Sequence, residues 1–418
     1  MRLQLTRLAA TGVVALGVLG VGAIAHADED RVDSTFTWFQ ERRGGGDSLT
    51  VLHPQADASI ALGAKLSINA GYEADIVSGA TPSVYAAPLV PGQSVDAVSA
   101  ASQFSDTRHS GRGGFAVVGN RASFSAGYTY GTERDYKSHA VSSAATVDLP
   151  GKNTTFGLGY THNFDKVCDY DNAMAQPLER RALSGENPCF GGGATAMTVS
   201  HDVSIDTVQA SVTQNLTPTL VAQLGVFGQV VRGFQSNPYR RVRVAGFDAQ
   251  EATPLVRARS AAFARANLAF PELHAAAGVS LRGYADTWGV QSGALEATYN
   301  QYLGDSILFR FRARVHQQTG AKFFRDAIDY QTQGAPGAYF TGDRELMPMR
   351  DWLVGARLSW IATATDGKQV WGMFDEADLH LKAEGIWATP LTETAPGGDP
   401  TGPMPDAIIG QLAFALLF

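Results

Sequence analysis

Residues 408–418 read IIGQLAFALLF and form the last stretch of the chain. Counting back by twos from the last residue gives an almost unbroken apolar face, namely Phe418, Leu416, Phe414, Leu412, Gly410 and Ile408. This period of two predicts a β-strand with one apolar side. The stretch is typical of the closing strand of an outer-membrane β-barrel, with an assembly signal at Leu412, Phe414, Leu416 and Phe418. The buried last strand of a soluble β-sandwich is the alternative for this stretch alone.

The bulk composition favours a barrel over a helical membrane protein. The chain has 418 residues, of which 45 are glycine and only 17% are charged, and its mean hydropathy is close to zero. Beyond the N-terminal region it lacks the run of about 20 apolar residues that a membrane helix needs. Barrels keep their average hydropathy low because apolar and polar residues alternate along each strand. The net charge of −7 argues against a nucleic-acid partner.

The N-terminus has the features of a secretory signal. Arg2 and Arg7 supply the positive region, residues 8–24 are apolar, and residues 25–27 (AHA) form a small-residue cleavage site. We therefore expect residues 1–27 to be a cleaved signal peptide and residues 28–418 to form a single barrel domain.

Connection lengths along the chain alternate between long and short. Long irregular segments are expected at 79–106, 166–203, 234–253, 321–345 and 389–405. Short turns are expected at 63–64, 119–120, 150–151, 216–218, 270–272 and 303–304, and a longer one at 363–372. This pattern predicts an all-β fold, a transmembrane antiparallel up-and-down β-barrel with short periplasmic turns and long extracellular loops. About 16 strands are expected, or 14 without the weak first hairpin, and the terminal strand should close on residues 34–43 or 65–78.

Several predicted strands separate into an apolar and a charged face. Because an Arg or Lys on the lipid face costs about 2–4 kcal/mol at midplane, the charged face should line the lumen. The predicted lumen-lining residues are Arg257, Arg259, Arg265, Arg282, Arg310, Arg312, Arg314, Arg357, Lys382, Asp378 and Glu384. One interpretation is a basic wall that attracts anions, and the other is an internal salt-bridge network that holds residues 79–106 inside the barrel.

The two cysteines, Cys168 and Cys189, are expected to pair because an exported chain meets an oxidising environment. Oxygen ligands at Asp165, Asp169, Asp171 and Asn172 could hold Ca²⁺, but the sequence favours a solvated acidic loop over a metal site. The histidines lack metal-ligand spacing. We therefore predict neither a cofactor, a metal nor a catalytic residue.

Recurring phrases across the mature chain resemble the bacterial outer-membrane barrel family catalogued as domain of unknown function thirty-five seventy. The phrases are 78–82 (SGATP), 95–100 (VDAVSA), 106–109 (DTRH), 152–155 (KNTT), 237–240 (NPYR), 286–289 (DTWG), 324–326 (FRD) and 329–330 (DY). The resemblance implies an outer-membrane β-barrel and supplies no catalytic residues. The cysteine-bearing segment 166–203 departs from the family pattern.

Three functions remain in competition at this point. The first is a porin-like channel or transport barrel for small polar or anionic solutes in the outer membrane of a Gram-negative-type bacterium. The second is a non-conducting barrel that serves as a binding partner or scaffold for a periplasmic, redox or extracellular protein. An outer-membrane enzyme acting through His109 or His316 is the third. The expected partners are outer-membrane lipid, the barrel assembly machinery, and a small anionic solute or periplasmic protein.

Overall fold

The structure is a computed structural model that describes most of the chain. The described residues are 30–42, 49–82, 84–85, 101–175, 179–180, 183, 189–190, 197–244, 247–324, 338–364, 369–391 and 406–418. The predicted signal peptide lies outside them. Among these residues, no helix combines the length and the apolar character required to cross a bilayer.

The described chain consists almost entirely of β-strands. They are β1 Arg31–Arg42, β2 Thr50–Ala61, β3 Leu66–Pro82, β4 Val84–Tyr85, β5 Ala101–Val118, β6 Ala122–Thr132, β7 Tyr136–Asp148, β8 Thr154–Tyr170, β9 Thr198–Asn215, β10 Leu220–Gly233, β11 Arg241–Val244, β12 Phe247–Gln250, β13 Val256–Phe270, β14 Ala275–Asp286, β15 Gln291–Leu303, β16 Ile307–Gln318, β17 Met349–Thr363, β18 Glu376–Pro390 and β19 Asp406–Leu417. Turns of 3-10 helix lie at Pro271–Leu273 and Arg344–Leu346.

Sixteen of these strands form one closed antiparallel barrel. Each wall strand pairs with the wall strands before and after it in the chain. Among the described strands, only β4, β11 and β12 lie outside the wall, and they form a separate small sheet. The predicted up-and-down barrel of 16 strands is therefore confirmed, and the 14-strand alternative is not needed.

The terminal strand closes the barrel against the first one. β19 pairs with β1 along their whole lengths, with Phe36 opposite Leu412 and Ser34 opposite Phe414. The predicted closure against residues 34–43 is thus confirmed. At the end of the strand, the Phe418 amide donates to the carbonyl of Asp30 at 2.9 Å, and its ring meets the ring of Phe374 edge-on.

The outward side of the barrel is apolar. Its mid-strand side chains are strongly exposed, for example Leu224 (58%) on β10 and Leu381 (62%) on β18. In water such a surface would cost about 25 cal/mol per Å² of exposed apolar area, and a bilayer removes this cost. Exposed Trp352, Trp360 and Trp387 lie near strand ends, where aromatic girdles meet the membrane interface. The protein is therefore an outer-membrane barrel.

The connections at the two ends of the barrel differ in length. One end carries the connections 62–65, 119–121, 149–153, 216–219, 271–274, 304–306 and 364–375. At the other end, the strand ends are separated in the sequence by residues 43–49, 83–100, 133–135, 171–197, 234–255, 287–290, 319–348 and 391–405. The short-turn end is assigned to the periplasm and the long-loop end to the outside, as in other outer-membrane barrels.

Three predicted loops contain more strand than their sequences suggested. The prediction for 166–203 was wrong at both ends, because β8 continues to Tyr170 and β9 begins at Thr198. The prediction for 79–106 was wrong likewise, since β3 runs to Pro82 and β5 starts at Ala101. The segment 234–253 contains the hairpin β11–β12, and β4 adds to it in parallel. Backbone pairing with the neighbouring strand extends these strands. Their sequences show no apolar alternation there, because these parts lie beyond the apolar surface that faces lipid.

At the outer end of the barrel, the segments around Cys168, Cys189, the β11–β12 hairpin and Phe340 form a packed layer, which we call the outer layer. Cys168 and Cys189 form the predicted disulfide within it. An apolar cluster of Val242, Ala249, Ala252 and Phe340 joins the β11–β12 hairpin to the chain before β17. Arg240, which is 8% exposed, bridges Glu251 at 3.1 Å and Asp343 at 2.9 Å. Apolar packing and paired charges therefore hold the described parts of these loops in one arrangement.

Candidate functional site: the charged inner face of the barrel

The basic residues singled out from the sequence occupy the inner face of one continuous part of the wall. On β16 the arginines alternate with the exposed Phe311, and on β18 Lys382 lies between the exposed Leu381 and Ala383. In a closed barrel, the side opposite these exposed apolar residues points inward. Strands β13 to β18 are consecutive in the barrel. We call this inner surface the basic wall, and its basic members are Arg257, Arg259, Arg265, Arg282, Arg310, Arg312, Arg314, Arg357 and Lys382.

Arg312 is the centre of an ion-pair network in the middle of the basic wall. Its Nη2 donates to Glu296 Oε2 at 2.7 Å and its Nη1 to Glu384 Oε1 at 3.1 Å. Glu384 lies two strands away and is reached across Gly355, which is the cross-strand partner of both residues. A Cβ at Gly355 would collide with the Glu384 side chain. The small residue therefore lets the two charges meet, and Lys382 joins them at 3.4 Å from Glu384.

Two further arginines are paired near the outer end. Arg257, only 3% exposed, forms an ion pair with Asp286 and stacks over Trp288 at 4.1 Å from the ring centre. Arg314 donates to Asp351 at 3.2 Å, and the same carboxylate contacts His316 Nδ1 at 2.6 Å. Arg257 and Arg314 therefore stabilise the wall through ion pairs. This agrees with the salt-bridge interpretation of the sequence.

Four arginines of the basic wall differ from these. Within the described chain, Arg265, Arg282, Arg310 and Arg357 form no ion pair with a carboxylate. Arg310 donates through Nε to Asn300 Oδ1, and it faces Arg357 directly across β16 and β17. Like charges opposite one another destabilise a sheet. The wall thus holds positive charge beyond what its described carboxylates pair with, which the salt-bridge interpretation alone does not explain.

An acidic surface, which the sequence reading missed, lies across the barrel from β13 and β14. It is formed by β2, β3 and β5. Arg112 bridges Asp57 at 2.5 Å and Glu73 at 2.9 Å, and His53 Nδ1 contacts Asp75 at 2.7 Å. The sequence does contain a signal for this surface. Glu73 and Asp75 occupy alternate positions on a strand whose other face includes the exposed Tyr72 and Ile76.

The histidines that the sequence singled out and the acids near Cys168 lie in separate parts of the described structure. His109 has outward parity on β5 and contacts the Tyr72 hydroxyl at 2.7 Å, whereas His316 belongs to the Arg314–Asp351 group. Asp169 is buried and accepts from Gln250 at 2.7 Å, and it receives Arg180 at 3.4 Å. Asp169 is thus part of the outer layer. In the portion of the chain that the structure describes, no group of three or more His, Cys, Asp or Glu could hold a metal ion.

Comparison with known proteins adds the following. The family model described as "Protein of unknown function (DUF3570)" matches residues 5–370. No curated protein matches the chain. Similar solved structures include the anion-selective porin from Comamonas acidovorans, with 10% identity, 93% of this chain and 98% of that chain covered, and a TM-score of 0.41.

Two others have equally low identity. A bacterial polysaccharide outer membrane secretin shares 10% identity, covers 93% of this chain and 98% of its own, and has a TM-score of 0.44. Pseudomonas aeruginosa OccK2 (OpdF), solved in complex with glucuronate, shares 10% identity over 93% of this chain and 98% of its own, with a TM-score of 0.39. At these values the likenesses carry no inference about solute or partner.

Proposed function

Because the chain belongs to this family of unknown function, we propose a function from the inner face of the barrel itself: an outer-membrane channel for small polar solutes that prefers anions. The observation that carries the proposal is the set of arginines without described carboxylate partners, Arg265, Arg282, Arg310 and Arg357. A charge that faces the interior of a barrel costs less where water and permeant counter-ions reach it than where it is enclosed.

The distribution of charge across the barrel supports the same proposal. The basic wall on β13 to β18 and the acidic surface on β2, β3 and β5 lie on different sides of the interior. Charges of opposite sign on opposite walls produce a field across the passage, and this field orients polar solutes. The carboxylates of the acidic surface have basic partners in Arg112 and His53, whereas four arginines of the basic wall have no carboxylate partner among the described residues. The preference should therefore be for anions.

Permeation into vesicles tests the proposal. Proteoliposomes containing the folded barrel are placed in isotonic solutions of a small sugar, an organic anion and an organic cation of similar size, and their swelling is recorded. The expected order is anion first, sugar second and cation last. Swelling no faster than that of empty vesicles for all three solutes would refute a channel.

A specific observation favours a second candidate, a barrel that binds a partner at its outer end. The outer layer is held by a disulfide, an apolar cluster and the buried Arg240 with its two carboxylates. A loop layer this well packed is suited to recognition as well as to narrowing a passage. Swelling assays without any permeation, combined with capture of one defined partner that requires the intact disulfide, would favour this candidate.

We propose two partners, and the outward face of the barrel supports both. Outer-membrane lipid contacts the apolar outer face, and the barrel assembly machinery would act on the terminal strand through Leu412, Phe414, Leu416 and Phe418. These side chains share the outward-facing parity on β19, and Leu412 is 49% exposed. They are thus accessible on the side from which a membrane-embedded partner would approach.

A further inference from the structure

We propose that the periplasmic half of the basic wall contains a binding site for a small oxyanion that also carries a hydroxyl group, built from Arg310, Arg357, Ser359 and Asp378. The inference rests on the proposed channel function, because the solute reaches the site through the lumen. It goes further by giving that channel a saturable site with a defined chemical preference.

Two arginines define the positive side of the site. Arg310 on β16 and Arg357 on β17 are direct cross-strand partners and point inward. Arg310 is also repelled by Arg312 and Arg265, and the attraction from Glu296 is smaller than these repulsions. Neither Arg310 nor Arg357 has a carboxylate ion-pair partner among the described residues. Two guanidinium groups side by side match the oxygens of a carboxylate or phosphate, which arginine binds in bidentate geometry.

Unused hydrogen-bonding atoms provide an independent observation at the same place. Ser359 is fully buried, with 0% exposure, and its Oγ has no hydrogen-bond partner among the described residues. Within the same part of the chain, Arg357 Nε, His380 Nδ1 and Asp378 Oδ1 are also buried and without a partner. Ser359 and His380 face each other across β17 and β18. A buried polar atom without a partner costs about 1–3 kcal/mol, so a polar ligand that reached these four atoms on the neighbouring strands β17 and β18 would recover part of that cost.

The chemistry of these atoms narrows the class of ligand. Arg357 Nε is a donor, and the Ser359 hydroxyl can donate or accept. Asp378 Oδ1 can only accept while the carboxylate is ionised, and its other oxygen lies 3.9 Å from His380 Nε2. A ligand that supplied only acceptors would leave Asp378 unsatisfied and would be repelled by it. An oxyanion with an O–H group, such as a hydroxy acid or a hydrogen phosphate, satisfies both sides.

Inorganic phosphate and sulfate test the need for an oxyanion and the need for an O–H group separately. Both are tetrahedral oxyanions, but only phosphate carries an O–H donor near neutral pH.

Binding is measured by isothermal titration calorimetry on the barrel folded in detergent, and separately as block of chloride current through the barrel in a planar bilayer. The variants are Arg310→Gln, Arg357→Gln and Asp378→Asn. The matched control is Arg282→Gln, which removes the same charge from the same wall on β14.

We expect phosphate to bind more tightly than sulfate, and each arginine variant to weaken phosphate binding at least about tenfold, which corresponds to the loss of one charge-assisted interaction of about 1.4 kcal/mol. Asp378→Asn should remove the preference for phosphate, and Arg282→Gln should leave binding within about twofold. Heat-modifiable migration verifies the folding of each variant, and Arg310→Lys provides a version that keeps the charge while losing the bidentate geometry.

The outcomes separate this site from the channel. Anion-selective current without saturable phosphate binding, or an equal loss of binding in Arg282→Gln and Arg310→Gln, overturns the site and leaves the channel intact. Calorimetric binding that depends on Arg310 and Arg357 in a barrel that conducts no ions supports the site and overturns the channel.

Discussion

Arg312 on β16 and Glu384 on β18 form a hydrogen-bonded ion pair of 3.1 Å that spans the intervening strand over Gly355. The glycine is what makes the pair possible, since a side chain there would displace Glu384. The same guanidinium also holds Glu296 at 2.7 Å. Two carboxylates thus neutralise one arginine at mid-wall, and they limit the positive charge that the lumen offers to a solute.

Glu384→Gln should therefore increase the preference for anions. The substitution removes one negative charge while keeping the side chain's size and its capacity to accept from Arg312. We expect the anion-to-cation permeability ratio to rise by about twofold. Reversal potentials in a salt gradient provide the measurement, and Glu272→Gln, in the turn after β13, is the control for a charge removed outside the lumen. A ratio that falls or stays constant would show that Glu384 does not act on the permeating ion.

Leu224→Arg should destabilise the barrel in lipid. Leu224 is 58% exposed in the middle of the outward face of β10, where an arginine would meet hydrocarbon. The expected loss in the free energy of unfolding is about 2–4 kcal/mol, measured by guanidinium titration in phospholipid vesicles. Gln209→Arg, on the inner face of neighbouring β9, is the matched control and should cost much less. Equal losses would mean that the two faces are not assigned correctly.

Loss of the disulfide should loosen the outer layer without unfolding the barrel. Cys168 and Cys189 are separated by 21 residues, and closing a loop of this length stabilises by about 3 kcal/mol. In the double variant Cys168→Ser and Cys189→Ser, limited proteolysis should cut the outer layer faster, while heat-modifiable migration persists. Reduction of the native protein should reproduce the effect. Protease resistance equal to that of the native protein would assign the stability of this layer to its apolar and ionic contacts alone.

Phe418→Ala should reduce the amount of folded barrel in the outer membrane several-fold. The substitution removes the last residue of the outward apolar face of β19 and its edge-on contact with Phe374. Phe311→Ala removes an exposed outward aromatic from β16 instead and is the control for loss of lipid contact. Fractionation and heat-modifiable migration give the yield of each. Similar yields for the two variants would contradict a special role of the terminal residue.

The sequence predicted the wall strands and their closure well, because each wall strand must keep one face apolar against lipid. Leu381 and Lys382 show this alternation within two residues. The extension of β8 to Tyr170 and of β9 back to Thr198 was missed, since strands beyond the apolar band no longer need that alternation. There, backbone pairing and the Cys168–Cys189 bridge keep the strands together, and neither leaves a periodic pattern.

The inner face was predictable only in part. Position along a strand indicated which arginines share the inner face, but not which of them have a partner. Arg312 is neutralised and Arg310 is not, in part because Glu384 reaches Arg312 across Gly355. This contact joins residues 72 positions apart, so the sequence alone does not show it. The acidic surface around Arg112 was also missed, because its partners Asp57 and Glu73 come from two other strands.

We infer that the arginines of the basic wall without a described carboxylate partner make this barrel an anion channel. The most direct measurement is the reversal potential of the reconstituted barrel across a potassium chloride gradient. The native barrel should be chloride-selective, and selectivity should be lost or reversed when Arg265, Arg282, Arg310 and Arg357 are all replaced by Gln. Arg121→Gln, on the exposed periplasmic turn, should leave it unchanged. A native barrel without conductance, or one whose chloride selectivity survives the fourfold replacement, would contradict the claim.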